Sequence, residues 1–284
     1  MPCEILAAAP AKVNLGLSVL QKRSDGFHGI KSIFQTVGLY DTLLVKPLSE
    51  TNVCRVKCDT MELPLDNTIT AAYNACRTVL KKDIFGVEVA LKKNIPSGGG
   101  LGGGSSDAAA FLNALKKLGL GISGGDAFEI ASMVGSDVFF FLDCGGKADY
   151  AAMVCGRGEV VKPFKARNDL FWLLVFPGVH SSTPAAYAWV DEERQKNGFA
   201  FEETDMESIY ALPPEQWNFV NDFTSVITLR YDAVKEALDD VRAAGALFCD
   251  MSGSGSTVFG VFADKESCLK AQKNLNSKWK TVSL

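Results

Sequence analysis

Residues 96–110 read Pro96-Ser97-Gly98-Gly99-Gly100-Leu101-Gly102-Gly103-Gly104-Ser105-Ser106-Asp107-Ala108-Ala109-Ala110, with six glycines in a window of seven. They separate Gly86 to Leu91, which reads as a strand, from Ala108 to Leu118, which reads as a helix stopped by Gly119. Glycine tolerates positive φ and lets backbone N–H groups come close to a ligand. A helix starting at about Ser106 adds unpaired donors and the positive end of its dipole. Such a turn suits a phosphate. Ser105 and Ser106 add hydroxyls that could touch a phosphate or a magnesium ion. A flexible linker of the same composition would not run from a strand directly into a well-formed helix.

Three familiar loops fail on these residues. Gly98, Gly100 and Gly103 satisfy G-x-G-x-x-G, yet a dinucleotide site needs an acidic residue ending the next strand about 20 residues on. The next apolar segment, Val138 to Leu142, read as a strand candidate, ends only at Asp143. A Walker A loop is excluded because Ser105 stands where Lys is required, and a hydrolase elbow because Asp107 follows Ser106.

Upstream, Val13, Leu15, Leu17 and Val19 alternate with Asn14, Gly16 and Ser18 and predict a half-buried strand with Lys12 and Asn14 on its polar face. A turn at Ser24-Asp25-Gly26 and extended segments at Ile33 to Val37, Thr42 to Lys46 and Val53 to Cys58 follow. Asn67 is a predicted N-cap for a helix through Leu80, and a further helix is expected from about Gly125 to Val134. Downstream, a strand at Phe171 to Phe176 precedes a helix opened by Thr183-Pro184 in cap-then-Pro order. Glu202 to Glu215 reads as an acidic surface loop. Then come a helix from Tyr231 to Ala244, strands at Ala246 to Cys249 and Thr257 to Phe262 around a turn at Ser252 to Ser256, and a last helix from Lys265 to Trp279. Strands and helices mix without regular alternation, which favours α+β over a doubly wound sheet.

Composition narrows the function. At about 150 residues per domain, 284 residues make one large or two modest domains, and 47% apolar against 22% charged residues is globular. Lys and Arg number 29 against 33 Asp and Glu, a net charge of -4, so the basic footprint of a nucleic-acid binder is missing. Eight cysteines without a C-x-x-C pair read as reduced thiols. Met1 to Pro10 holds Glu4 and no basic run, and the longest apolar runs are strand-sized, so no membrane partner and a cytoplasmic location are expected. Two histidines, His28 and His180, make a zinc site improbable.

The glycine loop resembles the signature of the GHMP kinases, which include galactokinase, homoserine kinase, mevalonate kinase and phosphomevalonate kinase. Ala9-Pro10-Ala11-Lys12-Val13-Asn14-Leu15 and Ser252-Gly253-Ser254-Gly255-Ser256-Thr257 are similar to two further motifs of that family, in the right order. Together with Asp25-Gly26-Phe27-His28 and Gly135-Ser136-Asp137-Val138, they resemble the branch that phosphorylates a cytidyl diphosphate derivative of methylerythritol on the non-mevalonate route to isoprenoid precursors. The branch usually has Pro after Asp-Val, where this chain has Phe139.

The resemblance implies a two-domain α+β fold. Residues 1–156 would form a ribosomal-protein-S5-like nucleotide-binding half and 157–284 a ferredoxin-like half, with the site in the cleft between them. It implies ATP as donor, Mg2+ bound with it near Ser105 or Ser106, and a cytidyl diphosphate acceptor phosphorylated on its 2-hydroxyl. Pro96, Ser97, Gly98, Gly99, Gly100, Leu101, Gly102, Gly103, Gly104, Ser105 and Ser106 would bind ATP. Asp137 matches the family's catalytic base and Lys12 the lysine paired with it. Phe27 and Phe34 match aromatic partners of the cytosine, His28 the residue reading the base edge through its backbone, and Tyr187 an aromatic on the opposite side of the ring. Asn14 and Thr183 match positions near the methylerythritol hydroxyls, and Gly253 and Ser254 the turn beneath the substrate phosphates. A monomer or weak homodimer is expected. Another GHMP kinase, for homoserine or phosphomevalonate, and an ATP-binding module without catalysis are the alternatives.

Overall fold

In the computed structural model, which describes residues 3–198 and 204–284, the alternation at Val13 to Val19 extends into an 18-residue strand, β1 (Ile5–Lys22). Met1, Pro2, Glu202 and Glu203, which fall in segments read above, lie outside the described residues. The expected turn follows β1, with the N–H of Gly26 donating to the Arg23 carbonyl at 3.1 Å. The chain then returns as β2 (His28–Thr51), 24 residues long. The separate segments read at Ile33 to Val37 and Thr42 to Lys46 are thus one strand. β2 pairs antiparallel with β1 over most of its length, and its other edge carries two further strands in succession, β4 (Phe85–Lys92) and β5 (Ala151–Gly156), so pairing outweighs Gly38 and Asp41 as breakers.

β3 (Cys54–Cys58) leads into α1 (Thr68–Leu80), where Asn67 Oδ1 accepts from the N–H groups of Ile69 and Thr70 at 3.1 and 3.0 Å as the capping rule requires. β4 (Phe85–Lys92), α2 (Gly103–Lys117), α3 (Gly124–Val134), α4 (Val138–Cys144), β5 (Ala151–Gly156) and β6 (Val160–Phe164) complete a sheet ordered β3-β4-β2-β5-β6, with β1 paired to β2. The first sheet thus runs to Phe164, past residue 156. The apolar segment Val138 to Leu142 is helix and not strand: Val138 and Phe141, and Phe140 and Cys144, are buried at helical spacing. Periodicity cannot separate the two in so short an apolar run.

The remaining elements are β7 (Phe171–Phe176), α5 (Thr183–Asn197), α6 (Met206–Ala211), α7 (Asp222–Thr228), α8 (Asp232–Ala243), β8 (Phe248–Met251), β9 (Val258–Phe262), α9 (Lys265–Leu275) and β10 (Lys280–Ser283). Their sheet is ordered β10-β7-β9-β8 and antiparallel throughout, the ferredoxin-like arrangement. Within the acidic stretch read as a surface loop, α6 turns Met206 and Tyr210 inward, and the Arg167 N–H donates to the Tyr210 hydroxyl at 2.7 Å. The last helix stops at Leu275, because the four residues of β10 close the sheet beside β7.

The expectation of a half-buried β1 is corrected. Ala11, Val13 and Leu15 face Leu174, Phe259 and Val261 of the second sheet in one apolar cluster. Lys12 and Asn14 on the other face are only 3% and 0% exposed, because the glycine loop and the 252–257 turn lie over them.

Behind that turn, Asp250 accepts from Thr224 Oγ1 at 2.6 Å and the Met251 N–H at 2.7 Å, and burial pushes its carboxyl up to about 6. The folded protein therefore holds this proton to about pH 6, the unfolded chain only to about 3.8. Stability contributed by the neutral form is present below 3.8 and is lost as pH rises through that window. In thermal denaturation, Asp250→Asn should flatten the decline in Tm across it; equal slopes in both proteins would exclude Asp250 as its source.

Candidate active site

Helix α2 begins at Gly103, three residues before the expected start at about Ser106, with Gly102 as its N-cap at φ +71°. Ser105 and Ser106 therefore sit in its first turn. The loop before it is wedged against the 252–257 turn. Ser252 Oγ donates to the Gly100 carbonyl at 2.9 Å, and the Thr257 N–H to the Gly99 carbonyl at 3.2 Å. From β1, the Lys12 N–H donates to the Leu101 carbonyl at 3.0 Å. Gly100 has φ +78°, and a Cβ there would collide with the Ser252 carbonyl oxygen, so no other residue fits this crossing. Three motifs far apart in sequence thus meet at the mouth of one cavity of about 610 Å³.

Lys12 occupies its floor. Its ammonium donates to Asn14 Oδ1 at 2.6 Å and to the Gly100 carbonyl at 3.0 Å, and lies 3.4 Å from Asp137 Oδ2. The Phe34 ring lies beneath it, 4.6 Å from Nζ to centroid. Burial lowers the Lys12 pKa from the ordinary lysine value, and the Asp137 carboxylate offsets part of that. Asn14 is fixed in turn, since its Nδ2 donates to Ser32 Oγ at 3.1 Å. Asp137 stands at the N-cap of α4 but makes no capping bond with its side chain, which leaves the carboxylate to the cavity. Phe139 is the second residue of that helix, where an N–H has no intrahelical acceptor. Phe139 packs there on Phe128 with centroids 4.9 Å apart.

The cavity wall includes Asn14, Phe34, residues 96–105, Asp137, Thr183, Tyr187, Gly253 and Ser254. It does not include Ser106, Phe27 or His28. The Ser106 hydroxyl is buried and has no partner among the described residues. Ser105 instead lines the cavity, its Oγ 3.7 Å from where a Cβ on Gly135 would stand. Thr183 was read as a helix cap; the cap falls on Ser182, and the Thr183 hydroxyl bonds to Ser254 Oγ at 2.7 Å across the site. Phe27 is 52% exposed with the Arg157 guanidinium over its ring at 3.8 Å. The His28 ring is buried and stacks on Tyr187, with centroids 5.3 Å apart and planes 16° from parallel.

Sequence reasoning missed a buried cluster at the start of the loop. Lys93 Nζ bridges Asp41 and Asp107 Oδ2, the latter at 2.8 Å. Asp41 Oδ1 accepts the N–H groups of Asn94 and Ile95 at 2.6 and 2.9 Å. Burial pushes the Asp107 carboxyl well above the usual range, while its two carboxylates raise Lys93 despite burial. The cluster ties both ends of the glycine loop to β2, and Lys93 and Asp107 line the cavity. Asp107 was visible inside the motif, but Asp41 lies more than 50 residues upstream, and no local pattern links it to the loop.

Residues 67–157 match the family model of the GHMP kinases N terminal domain, and residues 200–281 that of the GHMP kinases C terminal. The chain belongs to the GHMP kinase family. A 4-diphosphocytidyl-2-C-methyl-D-erythritol kinase from Treponema pallidum (strain Nichols) is 40% identical over 281 residues, covering 95% of this chain and 94% of the relative. One from Thermotoga maritima is 38% identical over 260 residues, covering 89% and 90%. The crystal structure of a 4-(cytidine 5'-diphospho)-2C-methyl-D-erythritol kinase superposes with a TM-score of 0.81 at 31% identity over 98% of each chain. A mevalonate kinase from L. major, with a TM-score of 0.66 at 15% identity over 99% and 97% of the two chains, shares the fold.

Gly100→Ala should push the loop away from the 252–257 turn and weaken ATP binding about tenfold or more in titration calorimetry, about 1.4 kcal/mol. A variant that folds and binds ATP as well as the parent would show that this crossing does not shape the nucleotide site.

Proposed function

We propose that this chain transfers the γ-phosphoryl group of ATP to the 2-hydroxyl of 4-diphosphocytidyl-2-C-methyl-D-erythritol, giving the 2-phosphate and ADP. The observation that carries the reading is the Lys12–Asp137 pair, 3.4 Å apart, on the wall of a cavity it shares with the glycine loop. Asp137 Oδ2 takes the proton of the acceptor hydroxyl as its oxygen attacks the γ-phosphorus and the bond to the bridging oxygen of ADP breaks. Lys12, 3.4 Å from Asp137 Oδ2, orients that carboxylate and places a cation beside the charge that develops on the phosphoryl oxygens. The N–H groups of residues 98–104 and the start of α2 cradle the polyphosphate.

Among the described residues no cluster of three or more His, Cys, Asp or Glu could hold a metal ion. Mg2+ bound with ATP rides on phosphates and water with one or two protein ligands. The Ser105 hydroxyl, in the first turn of α2 on the cavity wall, is a hard oxygen donor that would hold it, and the ion would neutralise phosphate charge. Asn14, with both ends of its side chain engaged, serves by aiming Lys12, while Thr183, Gly253 and Ser254 border the acceptor. Lys93, Asp107 and the N-terminus of α1 line the ATP end. The cytosine lies between Phe27 and Tyr187; the His28 side chain is already engaged with Leu20 and Asp191, which leaves its backbone for the base edge. Eight free thiols suit the reducing cytoplasm. Among the described residues no helix is long and apolar enough to cross a membrane.

CMP should raise the Tm of the protein where homoserine and mevalonate do not; stabilisation by homoserine alone would reject the cytidyl acceptor. Asp137→Ala should keep the fold and lower kcat by about 10² or more, and near-unchanged turnover would remove Asp137 as the base. Phe27→Ala should weaken the cytidyl acceptor by about 1 to 3 kcal/mol; an unchanged KM would take Phe27 out of the base slot.

A further inference from the structure

The face of α5 carries Tyr187 and, one turn on, Asp191, and both grip the same side chain from the first half of the molecule. Tyr187 stacks on the His28 ring, and Asp191 Oδ2 lies 3.2 Å from its Nε2. The other ring nitrogen is fixed as well, since Nδ1 donates to the Leu20 carbonyl at 2.8 Å. The imidazole is thus clamped at three points: one carbonyl, one carboxylate and one aromatic face. Tyr187 also meets Phe223 in a T-shaped contact, centroids 4.9 Å apart and planes at 90°, and it lines the cavity, whereas Asp191 does not. Lys22 also lies 3.9 Å from Asp191 but is more than half exposed, a weak competitor in water.

We propose that Asp191 is a positioning residue for acceptor recognition: by holding His28 Nε2 it sets the plane of the His28–Tyr187 stack, and with it the aromatic shelf offered to the pyrimidine of a cytidyl diphosphate. The proposal rests on the acceptor reading above. An imidazole that lost this partner would be free to turn about the Nδ1 bond, and Tyr187 would lose its flat neighbour. Offset stacking depends on ring separation and tilt, so a small turn of the shelf weakens the base while the phosphoryl end is untouched. The clamp also spans the two halves of the molecule, so the base-binding geometry is set by their contact.

The test is steady-state kinetics on Asp191→Ala and Asp191→Asn in the full chain. Asp191→Ala should raise KM for the cytidyl acceptor about tenfold with KM for ATP and kcat within about twofold, and Asp191→Asn, which keeps an oxygen and the side-chain shape, should recover part of that loss. Equal rises in both KM values, or no rise for the acceptor, would overturn the proposal. The ring nitrogens give a second readout that needs no acceptor, because the chain has only two histidines. With His180→Gln to assign signals, the 15N resonance of His28 Nε2 should move in Asp191→Asn and that of Nδ1 much less; an unmoved Nε2 would deny the contact. A parent enzyme that ignores every cytidyl compound, yet shows the Nε2 displacement, would reject the acceptor reading and leave the clamp standing.

Discussion

Removing the Lys12 ammonium from water costs several kcal/mol unless each of its protons finds an acceptor. Each does: Asn14 Oδ1, the Gly100 carbonyl and Asp137 Oδ2 surround it, and the Phe34 ring faces it from below. These four partners come from the first strand, the glycine loop, the start of α4 and the first third of β2. Displacing any one of them would leave a buried charge short of a partner, so the same cation that serves the chemistry also fixes where the segments stand. Burial lowers the Lys12 pKa and the Asp137 carboxylate offsets part of that, an attraction that water screens less here than at the surface.

The second constraint is steric. The loop and the 252–257 turn cross so closely at Gly100 that the turn bonds to the loop carbonyls through the Ser252 hydroxyl and the Thr257 N–H, without room for a side chain on Gly100. This explains why a nearly ordinary number of glycines can define a site. It is their placement at one crossing that matters, and backbone N–H groups supply the positive potential that the net charge of -4 does not. Lys93, held between Asp41 and Asp107, then staples the loop to the sheet from its other side.

Much of this was legible along the chain. The glycine loop, the Asn67 cap, the turn at Gly26 and the paired Lys12 and Asn14 all follow from local rules, and the helix at α2 differed only in its first turn. What local rules could not supply were contacts between distant segments. The burial of β1 on both faces depends on the second sheet and the turn lying over it. The helical state of Val138 to Cys144 depends on which faces of three successive phenylalanines find a core. The Asp41 carboxylate belongs to the site only through Lys93, and the Thr183 hydroxyl, suited to a cap, is drawn instead to Ser254. Phe27 and His28 are adjacent, yet one is on the surface and the other beneath it, a separation fixed by the turn after β1 rather than by residue type.

The contact between Asn14 and Ser252 joins residues 238 positions apart, whereas β1 and β2 pair across a short turn. Chain-closure entropy makes the hairpin quick to form and the distant contact slow. During synthesis from the N-terminus, the glycine loop emerges with one of its walls missing, and it waits for more than 140 further residues before the 252–257 turn can reach it. Phosphoryl transfer is therefore the last property the molecule acquires, and nascent or C-terminally shortened chains have a phosphate loop with no catalytic chamber behind it.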